Sequence, residues 1–278
     1  MPANLAELLD LLTLEALDDR LFRGLQPKKS LMPRMFGGQV AAQALVAAQH
    51  TVPDDRRVHS LHSYFILGGD PSIPTLYDVE DVRDGGSFTT RRVAARQHGA
   101  IIFYMTASFH RLEEGFDHQD PMPDVLPADE CPSIVDLLSE HDPGAGDFWR
   151  QEWAAADVRR APCDDPSRQR MWFRLNGELE DNRTMRTALL TYYSDLTLLG
   201  PTLRPHGIRV GAPEVQVASL DHTIWFHRSA HANQWFLYDQ HSPSASHGRG
   251  LALASVFAES GDLVASIAQE GLIRPAKP

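Results

Sequence analysis

Residues 36–50 read FGGQVAAQALVAAQH. Two glycines open the run. Ala, Val and Leu then fill nearly every face, with no acid between Phe36 and His50. A helix apolar on all sides is a buried helix. The segments that follow, VHSLHSYF from Val58 and RRVAARQHGAIIFYMTASF from Arg91, read as strands and a strand–turn–strand unit turning at Gly99. A buried helix followed by such strands predicts a helix wrapped by a curved antiparallel sheet, the hotdog architecture.

The pattern is written twice. VASLDHTIWF from Val217 matches VHSLHSYF at an offset of 159 (217 − 58). GLALASVFAESGDLVASIAQE from Gly250 matches the second segment at an offset of 162 (261 − 99). The first offset sets Ser219 on Ser60, and the second sets Gln269 on Ala107. The later half has its own helix, TMRTALLTYYSDLTLLG from Thr184, closed by Gly200 and Pro201. So long a period indicates duplication rather than a solenoid. The expected fold class is α+β, a double hotdog of two tandem units. Expected borders are a first unit at 1–110 as scaffold and substrate wall, a Pro/Asp-rich connector with short helices such as SIVDLLSEH at 111–167, and a second unit carrying the catalytic residues at 168–278.

Composition narrows the function. Of 278 residues, 42% are hydrophobic and 23% charged, the balance of a soluble globular protein. A net charge of −11 gives no general pull toward nucleic acid, so an anionic ligand needs a local Arg or Lys cluster. No run of about 20 apolar residues predicts a membrane span. MPANLAELLDLLTLEALDDR lacks the basic start and continuous apolar run of a signal peptide and reads as folded protein. RPAKP at the other end is not the Ser-Lys-Leu peroxisomal address. Cys131 and Cys163 are too few for a disulfide scaffold, so the expected setting is a reducing cytoplasm. Thirteen His occur without HExxH or paired Cys/His spacing, so no metal is expected.

The halves differ where chemistry needs them to. Asp195 lies within the second helix, flanked at helical spacing by Thr191, Tyr192, Leu198 and Leu199. An acid there is costly unless it has partners or a raised pKa. Strand parity puts Val217, Ser219, Asp221 and Thr223 on one face and His222 on the other. That separation argues against an Asp221–His222 dyad. In GDLVASIAQEG, Leu263, Ala265, Ile267 and Gln269 share a face directed at the helix. One polar set, in the second half only, implies one active site per chain.

MFGGQVAAQAL, LHSYFILGGDP, YDVEDVRDGGSFTTRRVAARQHGAIIFYMTASF, YYSD, SLDHTIWFHR and ASIAQEG together resemble the acyl-CoA thioesterase II family over nearly the whole chain. The resemblance implies hydrolysis of medium- to long-chain fatty acyl-CoA by an activated water. It implies a catalytic set of Asp195, Ser219 and Gln269, with Ser219 where relatives can carry Thr. No cofactor is implied beyond the coenzyme A of the substrate. Gly38 is the candidate oxyanion donor, since the glycines allow close backbone approach. Arg83, Arg91, Arg92, His247 and Arg249 are candidate phosphate contacts, with Arg91 and Arg249 foremost. The acyl chain is expected in an apolar tunnel between helices and sheet. Pairing of exposed sheets predicts a homodimer or higher homo-oligomer.

Rival readings make distinct demands. A hotdog enoyl-CoA hydratase pairs its Asp with a His five residues later, where this chain has Gly200. An α/β-hydrolase needs GxSxG, which does not occur. A non-catalytic acyl-CoA sensor would keep the tunnel and has no need of the polar trio.

Overall fold

The computed structural model describes residues 1–276. Asn4 caps α1 (Leu5–Leu12) by accepting the Glu7 N–H at 2.9 Å, and Leu5, Leu8, Leu11 and Leu12 form its buried face. Strands β1 (Glu15–Asp18) and β2 (Leu21–Gly24) lead to α2 (Gly37–Gln49), buried from Gly38 through Ala48 as its composition predicts. Then come β3 (Arg56–Phe65), β4 (Thr75–Asp84), β5 (Phe88–Gln97) and β6 (Ala100–Arg111). Two short helices follow, α3 (Ile134–His141), started by Ser133, and α4 (Pro143–Glu152). The second half comprises β7 (Ala156–Ala161), β8 (Arg168–Leu175), α5 (Arg183–Ser194), α6 (Gly200–Leu203), β9 (Val215–Ser219), β10 (Asp221–Phe226), β11 (Phe236–Ser246), β12 (Arg249–Ala258) and β13 (Leu263–Pro275).

All strands join one antiparallel sheet in the order β1-β2-β4-β5-β6-β3-β10-β13-β12-β11-β8-β7, with β9 beside β13. The halves meet at β3 and β10, where Leu61 faces Ile224 and Ser63 faces His222. The sheet's inner face packs on α2 and α5, which lie against each other in opposite directions. Gly38 at the start of α2 abuts the Tyr192 carbonyl, and Gln49 at its end bonds Thr187 near the start of α5. Among the described residues no helix is long and apolar enough to cross a membrane.

Several expectations need correction. The second helix stops at Ser194, so Asp195 is its C-cap rather than an interior residue. Gly200 and Pro201 open α6 instead of closing α5, which suits proline's fixed φ and missing N–H. The stretch 111–167 is not all connector, because β7 pairs with β8 along its full length. Its sequence ADVRRA hides a strand, since Arg159 and Arg160 are half-buried on an edge that pairs with β8 on one side and meets only a short bridge at Pro132–Ser133 on the other.

The repeat register also differs from the expected one. Val58 pairs with Phe109 and Leu61 with Ala107; Ser219 pairs with Gly271 and Thr223 with Ala268. Shifts of 161 (219 − 58) and 162 (271 − 109) superimpose the two sets. The counterpart of Ser219 is therefore Val58, not Ser60, and that of His222 is Leu61. Gln269 keeps Ala107 as its counterpart. Both copies break the ladder at the same place, at His59 between Val58 and Ser60 in one and at Leu220 in the other (220 − 59 = 161), and matching the sequences alone misses this because the shared Val-x-Ser-Leu stands two residues out of step with the pairing.

Candidate active site

Asp195 sits at two helix ends with opposite effects. As the C-cap of α5 it meets the negative end of that helix, which disfavours a carboxylate. It also lies at the N-terminus of α2, whose own N-cap, Phe36, supplies no side-chain bond. The Gly38 N–H donates to the Asp195 carboxylate in its place. A Cβ on Gly37 would stand 2.6 Å from Asp195 Oδ2, and one on Gly38 would stand 2.2 Å from the Tyr192 carbonyl oxygen. Neither position admits a side chain without displacing the acid or the helix pair.

The other two members of the expected set reach this carboxylate. Gln269, fully buried on β13, donates through Nε2 to Asp195 Oδ1 at 2.9 Å and to Ser219 Oγ at 2.7 Å. Ser219 Oγ donates to Asp195 Oδ1 at 3.3 Å. Burial pushes the Asp195 carboxyl up to about 6, against the lowering effect of the bonds from Gln269, Gly38 and Ser219.

His222 belongs here too, although strand parity excludes it. Its Nδ1 lies 2.5 Å from Gln269 Oε1, and its Nε2 lies 2.7 Å from Ser194 Oγ. The interruption at Leu220 resets the alternation, so Ser219 and His222 both reach Gln269. The signal in the sequence is Asp221, which accepts the Glu270 N–H at 2.8 Å and so occupies the ladder where the strand breaks. Asp221 and His222 form no dyad, as parity predicts. Burial holds the His222 imidazole down to about 4, so the ring is neutral at pH 7. A neutral ring has one N–H, and with Gln269 Oε1 facing Nδ1 that proton sits on Nδ1, which turns the single Ser194 hydroxyl hydrogen to Nε2 and away from the Thr191 carbonyl 2.8 Å off. Ser194 Oγ donates to Nε2, Nδ1–H donates to Gln269 Oε1, and the Gln269 amide then has its NH₂ toward Asp195 and Ser219. His222 thus fixes which way the amide points. His222→Phe keeps the ring and removes this control. We expect kcat to fall on the order of tenfold or more, the cost of one unsatisfied buried hydrogen bond, with KM within about threefold. Steady-state kinetics checks this, and an unchanged kcat would leave His222 a packing residue.

The family described as Acyl-CoA thioesterase matches residues 150–272, and the Acyl-CoA thioesterase N-terminal domain matches 27–110. Acyl-CoA thioesterase 2 of Haemophilus influenzae is 38% identical over 280 residues, covering 97% of this chain and 98% of that protein. The chain belongs to the acyl-CoA thioesterase family. It is thereby a thioester hydrolase. The crystal structure of an acyl-CoA thioesterase II, TesB2, from Mycobacterium marinum superimposes with a TM-score of 0.82 at 42% identity, covering 96% of this chain and 98% of that one. A hot dog fold protein from Alicyclobacillus acidocaldarius, 21% identical, shares the fold with a TM-score of 0.77, covering 96% of this chain and 98% of that one. The double-hotdog α+β class is therefore the fold of this thioesterase.

The structure brings Asp195, Ser219, Gln269 and Gly38 together in the thioesterase, and keeps Arg91 away. Arg91 is buried at 2% exposure, with its donors taken by Thr51, Arg83, Thr90 and Asp84 and with Asp81 also at its guanidinium. It braces the β4–β5 hairpin and has nothing left to offer a phosphate. Arg249 is exposed on β12 and paired at 3.0 Å with Glu270, which follows Gln269 in sequence. Arg92 is exposed and paired with Glu80.

Proposed function

We propose that this thioesterase cleaves medium- to long-chain fatty acyl-CoA by direct attack of water, with Asp195 as general base. The observation that carries the reading is the Gln269 amide bonded at once to Asp195 and Ser219, beside a carboxyl whose pKa lies near neutrality. A base with that pKa takes a proton readily at physiological pH and remains mostly ionised there.

The water oxygen attacks the thioester carbonyl carbon as its proton passes to Asp195. Ser219 Oγ and the Asp195 carboxylate accept from the water and orient it, while the Gln269 NH₂, bonded to both, fixes where they stand. The resulting oxyanion faces the bare N-terminus of α2, where orphan N–H groups and the helix dipole favour negative charge. Protonation of Asp195 weakens its hold on the Gly38 N–H and leaves that donor for the oxyanion. The C–S bond then breaks, and the departing CoA sulfur recovers the proton from Asp195. Ser219 acts through its hydroxyl and forms no acyl-enzyme: its neighbours are Asp195 and the amide, while the imidazole of His222 is bonded to Ser194 and Gln269.

CoA release from a C6 to C16 acyl-CoA series tests this. Hydrolysis with a maximum among the longer chains supports it. Tight binding of every member without release would make the chain a sensor rather than an enzyme.

We further propose a homodimer in a reducing cytoplasm, where Cys131 and Cys163 are both free thiols. The outer face of the central strands carries Tyr64 at 62% exposure, Tyr104 at 37% and Trp225 at 40%, an aromatic patch suited to a second copy. Light scattering is expected to give about twice 31.0 kDa at micromolar concentration, and Trp225→Asp to shift it toward the monomer. A monomeric wild type would contradict the proposal.

A further inference from the structure

A cavity of about 500 Å³ opens at the far end of the α2–α5 pair from Asp195 and runs along α5 as far as Tyr193, two residues short of Asp195. It is lined by Gln49, the last residue of α2, by Arg183 and Thr187 in the first turns of α5, and by Val58 and Phe226. These positions repeat the active site through the internal pseudo-symmetry. Val58 is the counterpart of Ser219. Phe226 stands 161 residues after Phe65 (226 − 65), whose ring packs beside Gly37. The start of α5 and the end of α2 take the places that the start of α2 and the end of α5 take around Asp195. From Thr187 to Asp195 is eight residues, about 12 Å along a helix.

The chemistry has been lost at this twin while the space remains. The positions matching Ser219, His222 and Gln269 hold Val58, Leu61 and Ala107. The end of α2 has Gln49 and His50 in place of an acid, and Gln49 Oε1 is taken up by Thr187 Oγ at 3.1 Å. The wall is apolar, with Leu190, Phe173, Phe236 and Val264 along it. Its charged lining is cationic only: Arg57, Arg183, Arg186 and Arg228, with three histidines, and no carboxylate among the lining residues. Such a rim stands out on a chain of net charge −11. Arg186 and Arg228 are paired with Asp181 and Asp117, whereas Arg57 has no ion pair among the described residues. The size is that of a cavity which encloses a small apolar ligand.

We propose that this cavity is a second, non-hydrolytic site that takes an acyl chain carrying an anionic head group. The chain lies against α5 and the second-half strands, and the head group meets Arg57 and the N-terminus of α5. The head can be the carboxylate of a free fatty acid, which is a product of the reaction, or the phosphates of an intact acyl-CoA.

The test is calorimetric titration of wild type with S-dodecyl-CoA, a thioether that cannot be hydrolysed, followed by laurate. The expected result is two acyl ligands per chain. Two equivalents of thioether assign acyl-CoA to the second site; one of thioether and one of laurate, bound together, assign the fatty acid. Arg57→Glu, at the rim, is expected to weaken the second equivalent about tenfold through lost charge-assisted bonding. Leu190→Trp is expected to fill the cavity and abolish it. Both variants should hydrolyse lauroyl-CoA with kcat/KM within about twofold of wild type. One equivalent in total, with laurate and thioether in competition, overturns the proposal. So does a changed chain-length profile of hydrolysis in either variant, which would make the cavity the acyl channel of the catalytic site. Occupancy is read as heat rather than turnover, so a chain that released no CoA would sink the catalytic reading and leave this one standing on its own data.

Discussion

Asp195→Asn is expected to lose on the order of 10³-fold in kcat on lauroyl-CoA, with KM within about threefold. Asn keeps the shape and can still accept from Gln269 and Ser219, so the site should stay assembled. What disappears is the ability to take a proton from water. The same substitution is expected to stabilise the fold at pH 7. A carboxyl raised from 3.8 to about 6 opposes folding wherever it is ionised in the native state. That cost is absent below about pH 4, grows through the interval up to about 6, and is complete above it. Its ceiling is about 3 kcal/mol, since a tenfold change in proton affinity is worth about 1.4 kcal/mol. Thermal melts should therefore rise by several degrees in the variant at pH 7 to 8. His222, held down to about 4 from 6.5, has the opposite slope: its contribution is lost as pH falls from about 6.5 toward 4, where the unfolded chain takes up the proton first. The two slopes oppose each other between about pH 4 and 6 in wild type. In Asp195→Asn the histidine slope stands alone, so stability should climb with pH across that window. A variant less stable than wild type at pH 8 would mean that Asp195 is a structural cap of α2 and not a strained base.

Gln269→Leu is expected to cost about 10²- to 10³-fold in kcat, close to the effect of removing one oxyanion-hole donor. Leucine fills similar space in a position with 0% exposure, so packing survives. The bonds to Asp195, Ser219 and His222 are lost together. Freed of its largest hydrogen-bonding partner, the Asp195 carboxyl should move further up, shifting the acid limb of the pH profile to higher pH. A wild-type kcat in this variant would show that the amide is a strand-end contact with no part in turnover. Combining it with His222→Phe should add little to the loss, because His222 acts through the amide.

The fold is legible in the sequence because its deciding segments are extreme. An all-apolar helix after two glycines, repeated strand-turn-strand units and an acid in only one of two related helices leave few architectures. The trio of Asp195, Ser219 and Gln269 can be singled out from parity, burial pattern and family resemblance. His222 cannot, because alternation along a strand holds only while the ladder is unbroken, and Leu220 breaks it. Arg91 misleads for a related reason. Arginine is typical of phosphate sites and of buried braces alike, and only the positions of Asp81, Asp84 and the Thr51 carbonyl decide between them. The edge strand β7 escapes notice because its composition matches that of the Pro/Asp-rich stretch around it. The cavity opposite Asp195 emerges only once the pairing register makes Val58, and not Ser60, the twin of Ser219.

The claim that a desolvated Asp195 carboxylate draws the proton from water is tested most directly by the pH dependence of kcat/KM of wild type on lauroyl-CoA between about pH 4.5 and 8.5. The account predicts a single acid limb, half-maximal near pH 6, where burial sets this carboxyl, and a plateau above it. A profile flat down to pH 4.5, or one rising only above pH 7.5, would contradict it.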